Sequence, residues 1–166
     1  MDTTPVIPRL VVLVGELNPY GADDRYALYD EPVNSAGGRL RRRVLGVHRR
    51  TYFGDGVRRV NLCEKAWSDP RGREAAAALL REHPDAILVL LGRKVAKSFG
   101  LDDVPAFGSK RLIGGPVCVV LPHPSGRNTV WNEPDAVKRA RTAILASAPW
   151  LPLGEADAVA TQADPT

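Results

Sequence analysis

Two short stretches hold the residue types that could do chemistry. His123-Pro124-Ser125-Gly126-Arg127-Asn128 places an imidazole, a hydroxyl, a glycine, a guanidinium and an amide on six consecutive residues. An imidazole changes its proton near neutral pH. Ser125 and the backbone N–H groups beside Gly126 are suited to an anion such as a phosphate. The second stretch, Gly15-Glu16-Leu17-Asn18-Pro19-Tyr20-Gly21, offers a carboxylate and an amide two residues apart. Glu16 could serve as a general base. Asn18 could only orient a water, because an amide does not take up a proton at neutral pH.

Both stretches are launched from apolar runs. Leu10 to Val14 reads as a buried central strand and precedes Gly15; Pro116 to Leu121 reads as another and precedes His123. Ligands of open α/β sheets bind beyond the carboxyl ends of the strands. One site built from both ends of the chain is therefore expected. Two further strands are predicted at Val57–Leu62, ending near Asn61, and at Ala86–Leu91, which turns at Gly92 into a short helix over 93–99. Asp69-Pro70 opens a helix with proline in its first turn, broken at His83-Pro84. Glu133-Pro134 opens a last one, with Val137, Ala140, Ile144 and Leu145 on its apolar side. Strands alternating with helices predict an α/β fold, a three-layer sandwich with a central, mostly parallel four-stranded sheet flanked by helices. One domain over 1–150 is expected, followed by a disordered tail over 151–166.

Composition sets the remaining bounds. The chain has 166 residues, 44% of them hydrophobic and 25% charged, as in ordinary soluble domains. It has no apolar run long enough for a membrane helix, and no basic and apolar leader at its start. With only two cysteines, Cys63 and Cys118, neither a disulfide framework nor a four-thiolate metal site is expected. A cytoplasmic, cofactor-free monomer is the expectation. The net charge of +4 is unevenly spread: eight arginines fall between Arg39 and Arg59 against one acid, Asp55. Such clustering, including Arg41, Arg42 and Arg43, is the footprint of a polyanion partner. The plainer reading is a solvated basic surface.

The order of these motifs resembles the uracil-DNA glycosylase superfamily over roughly residues 10–147. GELNPYG is similar to its water-activating motif, PVNSAGGRL (Pro32 to Leu40) to a Gly-rich helix start in its thermophilic branch, and VNLC to the strand ending in a base-reading asparagine. LVLLGRKVAKSFG resembles its strand–Gly–helix unit and LPHPSGRN its His-Pro-Ser loop. The resemblance implies a metal-free enzyme that flips a base out of single- or double-stranded DNA and hydrolyses its N-glycosidic bond. The activity implied is that of a monofunctional DNA glycosylase acting on uracil or a related modified pyrimidine, in repair or in removal of modified bases from foreign DNA.

The resemblance also implies roles. His123 would donate to the pyrimidine O2 as negative charge develops there. Asn61 would read the base edge, and Tyr20 would close the pocket near pyrimidine C5. If Pro19 sets the register, Asn18 positions the water; if Gly15 does, Glu16 is the catalytic carboxylate. Ser125, Gly126, Arg127 and Asn128 would face DNA. One place departs from the pattern. The phenylalanine that stacks on the flipped base is replaced by Val33, leaving Tyr29 or Tyr26 to substitute. That departure keeps a second function open, a catalytically inactive nucleic-acid binder on the same fold. A nucleotide enzyme of doubly wound type is a third, and it would need no arginine-rich face.

Overall fold

The computed structural model describes residues 7–18 and 23–157. Five strands form one sheet: β1 (Val11–Leu17), β2 (Val57–Cys63), β3 (Ile87–Leu91), β4 (Ser109–Arg111) and β5 (Val117–Leu121). Their spatial order is β2-β1-β3-β5-β4. The four strands expected from sequence are the parallel ones, and β4 adds an antiparallel edge on β5. All three residues of β4 are exposed, so it carries none of the apolar patterning that marks a strand in sequence.

Alternation along the strands sorts the core into two halves. Val11 and Leu13 of β1 join Val89 and Val119 on one face. There they meet Leu40, Val44, Tyr52, Trp131 and Ile144, brought by α1 (Ala36–Arg39) with its π-type continuation Leu40–Leu45, α2 (Arg49–Tyr52), the turn Thr129–Asn132 and α5 (Ala136–Leu145). Val12 and Val14 point the other way. They pack with Leu88, Leu90 and Val120 against Ala76, Leu79, Val95 and Ala96 of α3 (Asp69–Glu82) and α4 (Arg93–Ser98). The three layers are those expected. Helix α3 starts as its sequence dictates: the Ser68 hydroxyl accepts from the Arg71 amide, and Pro70 occupies the first turn, where no N–H is needed.

The folded body extends past the expected boundary at 150. Leu151 and Leu153 pack on the α5 side of the core. The amides of Gly154 and Ala156 donate to Leu45 and Gly46 carbonyls, each at 2.9 Å, and Asp157 pairs with Arg141 at 2.8 Å. Residues 151–157 are thus part of the domain, held by backbone bonds that no composition signal reveals; the rest of the expected tail, 158–166, lies outside the described residues. No helix among the described residues is long and apolar enough to cross a membrane.

Candidate functional site

The strand order reverses direction between β1 and β3, and the polar stretches collect at that crevice. The registers pair Val14 with Leu90 and Leu91 with Leu121. Extending them by one or two residues brings Glu16, Gly92 and His123 side by side across three strand ends. Gly92 has φ +104° and no side chain. A Cβ there would lie 3.3 Å from both Glu16 Oε1 and His123 Cβ. The missing side chain lets the carboxylate and the imidazole approach over bare backbone.

His123 is held from three directions. Its ring Nδ1 accepts from the Ser125 amide at 3.2 Å. An accepting Nδ1 places the proton of the neutral ring on Nε2, leaving that nitrogen as a donor. Its carbonyl accepts from the Trp131 indole at 2.9 Å and the Asn128 amide at 3.2 Å. Burial holds the imidazole below the ordinary histidine pKa; the Glu16 carboxylate opposes this and the Lys94 ammonium adds to it.

On the α1 side of the sheet lies a pocket of about 210 Å³ lined by Leu17, Tyr26, Leu28, Tyr29, Glu31, Pro32, Ser35, Ala36, Gly37 and Asn61, with Gly15, the residue before Glu16, opposite Asn61 at its wall. Asn61 sits opposite Gly15 in the β1–β2 register. Its Oδ1 occupies the space a Cβ on Gly15 would take, 2.4 Å away. Its Nδ2 is buried and donates to no group among the described residues. Tyr26 and Tyr29 meet edge to face at 5.3 Å. Both tyrosines weighed as substitutes for the missing phenylalanine therefore line the pocket, whereas Val33 is exposed. Gly37 is required here, since a Cβ on it would lie 2.2 Å from the Leu28 and Tyr29 carbonyl oxygens. A larger groove of about 700 Å³ runs between the 105–109 loop and α5, away from these residues.

Asn18 follows β1 directly. It is buried, its backbone N–H donates to Cys63 O at 3.1 Å, and its side-chain amide donates to Asp23 O at 3.0 Å. It ties the loop after β1 to the end of β2 and does not line the pocket. Tyr20 lies outside the described residues.

The arginines expected on DNA are mostly committed inward. Arg41 pairs at 2.8 Å with the fully buried Asp30, which Arg49 also meets at 2.9 Å. Arg42 pairs with Glu31 at 2.7 Å and donates to Asp30 O. Arg43 donates to Trp131 O at 2.6 Å. Arg59 lies over Phe53 at 4.4 Å. The first three hold the 30–31 and Trp131 segments in place, while Arg43, Arg49 and Arg50 remain exposed. Asn128 is likewise occupied: besides holding His123, it accepts from the Val130 amide at 3.2 Å and caps the turn Thr129–Asn132. Gly126 and Arg127 are exposed and Ser125 half-buried.

Three residues escaped the sequence reading. Lys94 acts electrostatically on His123, and its position in the first turn after Gly92 was the available signal. Trp131, eight residues beyond His123, stood out only as an isolated aromatic. Arg39 lies against Gly126, and nothing local marked it. Comparison with known proteins finds no matching family model, no similar curated protein and no similar solved structure.

Proposed function

We propose that this protein is a DNA glycosylase that hydrolyses the N-glycosidic bond of uracil or a related modified pyrimidine. The observation that carries this reading is the buried Asn61 amide, without an acceptor among the described residues, in the wall of an aromatic pocket; Asn61 stands on β2 opposite Gly15, the residue before Glu16. A buried donor left without an acceptor costs about 1–3 kcal/mol. A base carbonyl entering the pocket would offset that cost, and Tyr26 and Tyr29 would give it apolar contact.

The chemistry follows from the groups at hand. As the bond from the sugar C1′ to the base nitrogen breaks, its electron pair moves into the ring and onto the carbonyl oxygens. The His123 Nε2–H donates to that developing anion. Such a donor is worth roughly 2.7–4 kcal/mol at comparable oxyanion sites. Glu16 orients a water toward C1′ and accepts its proton as the new C–O bond forms. The proton leaves with the base, and an abasic site remains. Of the two residues between which the sequence left the water-activating role open, Glu16 is the one adjacent to His123. Asn18 has the loop to hold.

The test is cleavage of labelled oligonucleotides containing one uracil, single-stranded and opposite guanine or adenine, with alkali to break abasic sites. Strand breaks with the wild type that disappear in Glu16→Gln and His123→Ala support the reading. Salt-sensitive DNA binding without cleavage of uracil or other modified pyrimidines would replace it with a non-catalytic binder.

A further inference from the structure

Arg39 is the last residue of α1 and is half-buried. Arg41, Arg42, Arg43, Arg49 and Arg59 have carboxylate, carbonyl or aromatic partners, but the Arg39 side chain makes no hydrogen bond or ion pair among the described residues. Its guanidinium lies beside the exposed Gly126, with Nη1 3.8 Å and Nε 4.0 Å from where a Cβ on that glycine would be. The backbone N–H groups of Gly126 and Arg127 donate to no described group either. A guanidinium without a partner therefore lies beside the missing side chain of Gly126, three residues from His123, on a loop with two open amides. A half-withdrawn cation without a counter-charge is an unfavourable arrangement that an anion would relieve.

We propose that Arg39, together with the Gly126 and Arg127 amides, binds a phosphodiester of the DNA strand whose base enters the neighbouring pocket. The inference rests on the nucleic-acid reading above and adds to it a residue from the Gly-rich helix, outside the His-Pro-Ser loop. The guanidinium supplies charge and a planar pair of donors. Gly126 lets the phosphate approach the backbone.

The experiment is an anisotropy titration of undamaged labelled oligonucleotide, single-stranded and duplex, over a series of salt concentrations. It compares the full chain with Arg39→Gln, Arg39→Lys, Gly126→Val and, as control, the exposed Arg81→Gln on α3. The expected result is a shallower dependence of log affinity on log salt in Arg39→Gln, by about 0.9 on duplex and about 0.7 on single strands. Arg39→Lys restores the slope. Gly126→Val places side-chain atoms in contact with the guanidinium and over the loop backbone, and weakens binding. Arg81→Gln leaves both unchanged. An unaltered slope in Arg39→Gln overturns the proposal, as does wild-type protein that shows no salt-sensitive binding. Arg39-dependent binding of inorganic phosphate alone, with no effect on DNA, also overturns it. An Arg39-dependent slope in a protein that releases no base upholds the phosphate site while refuting the glycosylase.

Discussion

The Trp131 indole N–H donates to the His123 carbonyl at 2.9 Å, and the Trp131 carbonyl in turn accepts from Arg43 at 2.6 Å. A fully buried aromatic ring thus fixes the backbone of the residue whose ring faces the crevice. Phe107 supports it from the side, edge to face at 6.0 Å.

Trp131→Phe removes the donor together with part of a fully buried ring. A stability loss above the ~0.5–1.5 kcal/mol of one hydrogen bond is expected, because a cavity is left as well. With the carbonyl held by Asn128 alone, the ring loses its fixed orientation. Nitrogen NMR of His123 would show Nδ1 gaining protonated-tautomer character, and turnover would fall more than KM rises. A wild-type His123 spectrum in this variant would show that the indole serves packing only.

His123 also sets a pH dependence. Its folded pKa is lowered, chiefly by burial, so between that value and the unfolded value of ~6.5 the unfolded chain binds more protons. Its contribution to stability is complete above ~6.5 and is lost as pH falls through the folded pKa. Protonation also converts Nδ1 from acceptor to donor and breaks its bond from the Ser125 amide. Base release is therefore expected to persist through pH 6.5, with its acid limb below. Urea unfolding of wild type and His123→Gln over this range should show the smaller acid loss in the variant. Equal losses would contradict the assignment.

Asp30 anchors the pocket loop from beneath. Removing its carboxylate in Asp30→Ala leaves the largely buried Arg41 without its counter-ion. Breaking a buried pair on one side costs about 3–5 kcal/mol. A corresponding drop in the urea midpoint with unchanged slope is expected, together with loss of ligand binding, because Tyr29 and Glu31 flank the mutated residue. A loss under 1 kcal/mol would mean that Arg41 finds water readily and that the pair does not hold the loop.

Strands β1, β3 and β5 were legible because strands buried on both faces must be apolar throughout, as in Leu88-Val89-Leu90 and Val119-Val120-Leu121, whereas the edge strand β2 showed only its Val57, Val60 and Leu62. The positions of Glu16 and His123 followed, since each comes at or just after the end of such a strand. β4 was not legible because exposed strands have no such requirement. The fate of the arginines was hidden for another reason. Arg43 meets Trp131 across 88 positions and Arg141 meets Val44 across 97, and charge counts carry no information about partners so far along the chain. Asn18 illustrates a local ambiguity: an amide before proline suits a water-positioning role and a loop tie equally well, and its bond to the Asp23 carbonyl adds a tie that no local pattern reveals.

Gly15 and Glu16 are consecutive, yet a strand turns consecutive residues to opposite sides. Gly15 accommodates Asn61, while Glu16 stands by Gly92 and His123. Deleting a single residue between Val11 and Val14 would move Glu16 into the place of Gly15 and Leu17 into that of Glu16. A carboxylate would then press on the asparagine, and a leucine would face the imidazole. Lineages carrying this arrangement can change the strand by substitution, but a one-residue gap within it would abolish both halves of the site at once.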